Sequence, residues 1–353
     1  MRVFFATCRE PVSVHTDARG WHFVNDARFQ DPGALRFGSV ETRAAVDPTE
    51  DHEVVDPITL LPRDAAPRDG LAPFLAALRA DGADGLVYIH GFNYSFRDAV
   101  ARTAQAIRFL DPNGLPGARG LVPFLYSWPS IGSVHGYPRD RAAVEESADS
   151  LADLLRGLLV AADELAATAN GPQLHLLAHS MGVHALAEGL TKLGATPRRI
   201  FTEAILAAGD TSENAFGPGR PLRVLNSVAR RTTVLVNPND WAPFFGSGLT
   251  DHENRLGRRW PPRHGDAPAT VWVNVTDAID PQSKSEPINE GNHQYYRNDW
   301  AVRADLRATL AGRAEQQIAN RAPIPEQLGP GYALVARLPA DILPAEPATV
   351  LVA

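Results

Sequence analysis

Ser180 stands where a serine can be turned into a nucleophile. It lies in LHLLAHSMGVHAL, residues 174–186, where an apolar run stops at His179-Ser180-Met181-Gly182 and a helical pattern begins at once. A sharp turn from strand to helix exposes the serine hydroxyl, and it needs small residues two places before and two after. Here those places hold Ala178 and Gly182. The free N–H groups at the start of the next helix, that of Met181 first, can hold a negatively charged oxygen. A serine in this position can equally be a plain helix N-cap. The chemistry therefore depends on partners elsewhere in the chain.

A serine hydroxyl is a weak nucleophile without a base, and the usual base is a histidine held by a carboxylate. In a strand–turn–helix setting the chain order is serine, acid, histidine. Four histidines follow Ser180: His184, His252, His264 and His293. His184 falls inside the helix after the serine, as a packed or half-exposed residue. His252 and His264 fall in a long polar insertion. His293, in EPINEGNHQYY, follows a strand-like run and precedes a helix near 300, which is where the base's loop belongs. For the acid, Asp240 follows the buried run in TTVLVNPNDWAP. Asp210, in AILAAGDTSEN, is the runner-up, and either could be a turn former or a helix cap. Asp277 and Asp280, in NVTDAIDPQ, could position the His293 loop. They have no ligand set at metal-binding spacing around them, so neither a metal nor a cofactor is expected.

Upstream, LVYIHGFN, residues 86–93, is a strand running into a glycine turn. Gly91 lets the backbone bend inward, and the Phe92 N–H is the expected second oxyanion donor beside Met181. His90 reads as an orienting residue rather than the base, and Asn93 as a holder of the turn. Tyr126, Trp128, Trp241, Phe244 and Phe245 could line an apolar pocket, or could be ordinary core. The reaction these residues suit is acyl transfer to water. An ester is the default substrate, because alcohols leave more easily than amines. An amidase or peptidase would use the same triad. A cofactor-free haloperoxidase-like activity is a weaker alternative, and a non-catalytic binding or scaffolding protein is a reading of a different class.

The elements that must position these residues are an alternation of strands and helices. Strands are expected near 3–6, 35–40, 54–60, 86–89, 121–128, 173–178, 200–206, 232–236 and, last, 271–275. Helices are expected over 71–80, 98–110, 141–163 and 182–193. The longest has Val144, Ala148, Leu151, Leu154, Leu155, Leu158, Leu159 and Ala162 on one face, with Asp140 as a possible cap. Such alternation predicts an α/β fold with a mostly parallel sheet covered by helices on both faces, preceded by a strand-rich extension over 1–70. Ligands in such folds bind beyond the carboxyl ends of the strands. Residues 1–322 read as one domain, with a loop insertion or lid at 243–269 and a Pro-rich C-terminal appendage at 323–353.

Composition sets outer limits. A net charge of -7 argues against a nucleic-acid partner, which needs a basic surface. No apolar run approaches the length of a membrane span. The opening MRVFFATCREPVSV is too short and polar for a signal peptide. Cys8 is the only cysteine, which rules out an internal disulfide and fits a reducing, cytoplasmic location. The expected partner is a small ester or acyl substrate.

The chain also resembles the α/β-hydrolase family of unknown function labelled DUF900, found mostly in bacteria. The resemblance rests on FFATCRE, LRFGSVE, YIHGFNYSFRDAVARTAQ at 88–105, FLYSWPSIG at 124–132, LHLLAHSMGVHAL at 174–186, ILAAGD, VNPNDWA, and the late DAID and GNHQYY. Together these cover roughly residues 1–300. In that family the elbow commonly reads A-H-S-M-G, so Ala178 in place of the more general glycine is expected. The resemblance implies an α/β-hydrolase sheet with Ser180 as nucleophile, Asp240 as acid and His293 as base. It implies no substrate, and it assigns no role to the SWPS segment.

Overall fold

The computed structural model describes residues 1–13, 21–23, 35–44, 53–194, 196, 198–240, 254–259, 269–279, 293–324 and 331–335. The N-terminal part contributes β1 (Arg2–Thr7), β2 (Pro11–Ser13), β3 (Trp21–Phe23), β4 (Arg36–Arg43) and β5 (Glu53–Leu60). The alternating part follows as α1 (Pro67–Asp81), β6 (Asp84–Ile89), α2 (Phe96–Leu110), β7 (Leu121–Ser127), α3 (Tyr137–Glu146), α4 (Ala148–Ala166), β8 (Leu174–His179), α5 (Met181–Leu193), β9 (Phe201–Ala207), α6 (Leu225–Val228), β10 (Ala229–Val236) and β11 (Thr270–Asn274). The chain closes with α7 (Tyr295–Asn298), α8 (Trp300–Leu310), β12 (Arg321–Pro323) and β13 (Gly331–Leu334).

One 11-stranded sheet runs in the order β12-β13-β11-β10-β9-β8-β6-β7-β1-β4-β5. From β13 to β1 every neighbouring pair is parallel. Within this sheet antiparallel pairing is confined to β4 and β5 at one edge and β12 at the other, while β2 and β3 form a separate antiparallel pair. Both faces are buried, which the strands show residue by residue. In β1, Phe4 and Ala6 enter the core under α1, α4 and α5, while Val3 and Phe5 enter the one under α2 and α8. In β6, Val87 and Ile89 go one way and Leu86 and Tyr88 the other. Strands buried on both faces read as unbroken apolar runs, which is why they were legible.

Three local details depart from the pattern. The single helix expected over 141–163 is two helices, broken at Ser147 (φ -89, ψ 2). The Ser147 hydroxyl donates to the Val144 carbonyl at 3.0 Å, and its own carbonyl accepts the Tyr126 hydroxyl at 3.2 Å. The ladder bonds persist there, Ser147 N–H to Ala143 O at 3.0 Å and Leu151 N–H to Ser147 O at 3.1 Å, so the change is a bend in the backbone at one residue. Asp140 caps nothing; it lies inside α3, which begins at Tyr137 with Pro138 in its first turn. The sheet also continues past 271–275. Gly331–Leu334 pairs in parallel with β11, and Arg321–Pro323 pairs with it from the far side.

The chain leaves β6 for β7 on one side and returns to β8 on the other. The carboxyl ends of β6 and β8 thus meet where the winding reverses, the place such sheets offer to a ligand. No described helix is long and apolar enough to cross a membrane.

Candidate active site

Ser180 is the single residue between β8 and α5, and its backbone sits at φ 54, ψ -122. Positive φ is costly for a residue with a side chain. The hydrogen bonds show why it is imposed. The Ser180 N–H donates to Ala207 O at 2.9 Å, as though the strand continued. Its carbonyl accepts from Val183 N–H and from Asp210 N–H, both at 3.0 Å, the first being the opening turn of the helix. One residue therefore makes the whole change of direction. Gly182 is required because a Cβ there would lie 2.4 Å from Ile89 O and 2.6 Å from His90 O. At the other flank Ala178 is wholly buried, in register with Ile89 of β6 and Leu206 of β9, and a methyl fits.

His293 and Asp240 meet as a pair. His293 Nδ1 is 2.7 Å from Asp240 Oδ2, and Asp240 is completely buried. Asp240 closes a tight turn just beyond β10, with its N–H on Asn237 O at 3.0 Å. His293 lies just before α7, whose Tyr295 hydroxyl accepts from Ala208 N–H at 2.8 Å. The histidine loop is thereby pinned to the end of β9. It is also pinned to the elbow: His179, next to Ser180, places Nε2 3.2 Å from His293 O, and the two rings are 4.8 Å apart. Burial disfavours a charged His293, but the Asp240 carboxylate and its hydrogen bond, helped by Asp210, outweigh that and raise its pKa. His179 is driven the other way, well below the ordinary histidine value, by burial and then by His293. It is therefore neutral, and its Nε2–H donates to the His293 carbonyl.

Asp210 is otherwise committed. Its Oδ2 accepts the Tyr137 hydroxyl at 2.6 Å, and its Oδ1 is 3.1 Å from Arg255 Nε. The carboxylate on the His293 ring is that of Asp240.

The HGFN turn faces the elbow. A Cβ on Gly91 would lie 3.0 Å from the Ser180 Cβ and 3.0 Å from His179 Nδ1, so glycine permits the close approach. Asn93 has φ 65, a left-handed conformation that asparagine tolerates better than most residues. Among the described residues the N–H groups of Phe92 and Met181 donate no hydrogen bond. That of Met181 has no partner because it is the first residue of α5. His90 is fully buried between Gly91 O, 2.8 Å from Nδ1, and Trp128 O, 3.1 Å from Nε2. Burial, with Arg9 close by, pushes its pKa down to about 3.

Of the aromatic residues expected at a pocket, Tyr126 and Trp128 have no exposed surface. The Tyr126 hydroxyl bonds to Ser147 O, and the Trp128 ring stacks on His90 at 4.9 Å. Trp241, Phe244 and Phe245 lie outside the described residues, as do His252, His264 and Asp280. His184 is buried in α5, with Nδ1 3.8 Å from Glu188. Among the described residues no group of three or more metal-ligating side chains forms.

Around the site, Arg9, Ser127, Ser130, Tyr137 and Arg255 had no role assigned from the sequence, Asp140 was expected only as a helix cap, and His179 was part of the turn without a role of its own. A buried arginine just after an apolar strand, as in FFATCRE, is the one hint that was there to be read. The family described as an alpha/beta hydrolase of unknown function (DUF900) matches residues 74–311, well over half of the chain. No curated protein gives a significant match.

Proposed function

The chain belongs to the α/β-hydrolase family of unknown function DUF900, and from that premise we propose that it is a serine hydrolase cleaving a carboxylic ester through an acyl-enzyme intermediate. One observation carries the reading: a buried Asp240–His293 pair, 2.7 Å apart, clamped through His179 to a serine held at positive φ. A histidine with one nitrogen on a buried carboxylate has its other nitrogen left to serve as base.

In the reaction, Ser180 Oγ attacks the ester carbonyl carbon as its proton passes to His293 Nε2. Asp240 keeps the His293 proton on Nδ1 and stabilises the ring once it is charged. The unengaged N–H groups of Phe92 and Met181 take the negative oxygen of the tetrahedral intermediate. As the intermediate collapses, the C–O bond to the alcohol breaks and His293 returns its proton to that oxygen. A water, deprotonated by His293, then attacks the acyl carbon; the bond from that carbon to Ser180 Oγ breaks, His293 returns the proton to Oγ, and the acid is released. The substrate is a small ester. The lone, buried Cys8 is in keeping with a reducing, cytoplasmic setting.

The test is labelling with a fluorophosphonate, followed by mapping of the adduct. The expected result is one adduct, on Ser180, abolished in Ser180→Ala. A label elsewhere, or one that survives the substitution, sinks the proposal. Turnover of p-nitrophenyl esters but not of anilides separates an esterase from an amidase with the same triad.

A further inference from the structure

The SWPS segment and the arginine of FFATCRE take no part in the mechanism above, yet both are buried against the HGFN turn. Arg9 is 2% exposed. Its Nε donates to Ser127 Oγ at 3.0 Å, one terminal nitrogen to Ser130 O at 2.9 Å, and the other to Tyr94 O at 2.9 Å. Ser130 Oγ accepts from Tyr94 N–H at 3.0 Å and donates to Asp140 Oδ2 at 2.6 Å. Trp128 Nε1 donates to His90 O at 2.7 Å. Backbone groups on both sides of Phe92 are thus tied down, while among the described residues the Phe92 N–H has no partner.

The proton on His90 follows from the same contacts. A guanidinium only donates, so Ser127 Oγ accepts from Arg9. Its own hydroxyl proton is then free to point at His90 Nε2, 3.4 Å away. The carbonyl of Trp128, also near Nε2, already accepts Ser130 N–H at 2.9 Å. No other donor reaches Gly91 O among the described residues. The arrangement that satisfies every group puts the imidazole proton on Nδ1, where it donates to Gly91 O. The burial that keeps this ring neutral agrees. Gly91 C=O and Phe92 N–H belong to one planar trans peptide and point in opposite directions. Holding the first aims the second.

We propose that Arg9, acting through Ser127 and His90, is a positioning residue for the oxyanion hole, with Trp128 and Ser130 as the other struts of the same brace. Arg9 touches no reacting atom. It sets the direction of the Phe92 N–H, which rests on the reading of that group as an oxyanion donor.

Ser127→Ala removes the link, and Trp128→Phe keeps a ring while removing its donor; both are small changes in a core that tolerates them better than Arg9→Met. Loss of a whole oxyanion donor costs about 10²–10³ in kcat, so a misdirected one should cost about 10–100-fold. That loss should fall on kcat, with KM for a p-nitrophenyl ester within about twofold, and the same factor should weaken an alkylboronic acid that mimics the tetrahedral intermediate. The independent readout is the tautomer: ¹⁵N–¹H spectra should show His90 protonated at Nδ1 in the unaltered protein and redistributed in Ser127→Ala and Arg9→Met. Unchanged kcat and boronate affinity in folded Ser127→Ala and Trp128→Phe overturn the proposal, and so does an Nε2-protonated His90 in the unaltered protein. Failure of Ser180 to label at all defeats the hydrolase reading instead, and the tautomer measurement does not depend on that outcome.

Discussion

Replacing Asp240 by Asn changes one atom type at a fully buried position. Its effect can be worked from the geometry. Asp240 Oδ2 is 2.7 Å from His293 Nδ1, and Asp240 is wholly buried. Because each charge is spread over its group, the centres lie further apart than the bonded atoms. For unit charges about 4 Å apart at an effective dielectric of about 20, the attraction is ~4 kcal/mol. That attraction exists only once His293 is protonated, in the transition state, so its loss lowers the rate about a thousandfold. A second loss adds to it. The Asn amide can donate to Nδ1, which moves the ring proton to Nε2 and leaves no lone pair to receive the Ser180 proton. Together the two effects predict a fall of ~10³–10⁴ in kcat/KM. The assay is hydrolysis of a short p-nitrophenyl ester across pH, with urea unfolding to confirm that the variant is folded. Asp210→Asn is the control. It removes the charge that faces Arg255 at 3.1 Å and so costs stability, but the surviving folded protein should keep most of its rate. If Asp240→Asn stays within tenfold of the unaltered protein while Asp210→Asn collapses, the assignment of the acid is wrong.

Three further outcomes are expected. The raised pKa of His293 means that the neutral base appears only as pH rises through a value above 6.5. The acid limb of kcat/KM should therefore have its midpoint above 6.5, and in Asp240→Asn that midpoint should move to lower pH, because the main group that opposes burial is gone and only the smaller effect of Asp210 remains; a limb below 6.5 in the unaltered protein contradicts the pairing. Gly182→Ala drives a methyl toward two backbone carbonyls at the root of the HGFN turn. Urea titration should show a loss of about 1–3 kcal/mol, while fluorophosphonate labelling slows by roughly 10²-fold, since a displacement of about 1 Å in a reacting group is enough for that. Far from the site, Arg321 forms a two-pronged, fully buried pair with Asp305, at 2.6 and 2.9 Å. Arg321→Ala leaves that carboxylate buried without its partner among the described residues. Denaturant titration should show a loss of about 3–5 kcal/mol, with Ser180 labelling in the folded protein unaffected.

What could be read from the chain alone was local or ordered along it. The elbow was legible because its requirements act over a few residues: a strand buried on both faces, a serine, and Gly182 where a side chain would strike β6. Asp240 and His293 were legible because strand order limits which loops can reach the end of β8. The break at Ser147 was missed because the apolar period of the helix runs straight through it, and only the bond from Tyr126 marks the spot. The pairing of Gly331–Leu334 with β11 was missed because a strand of four residues, one place in from the sheet edge, carries little pattern of its own. The sequence by itself determined that a serine at a strand-to-helix turn, a carboxylate and a histidine come in that order on an α/β sheet. Only the tertiary structure decided which carboxylate touches the histidine and what surrounds the HGFN turn. Arg9, Ser127 and His90 lie on three different strand ends, and no spacing rule links them. Their contact exists because β1, β7 and β6 are neighbours in the sheet, and a buried arginine must find acceptors wherever the fold places it.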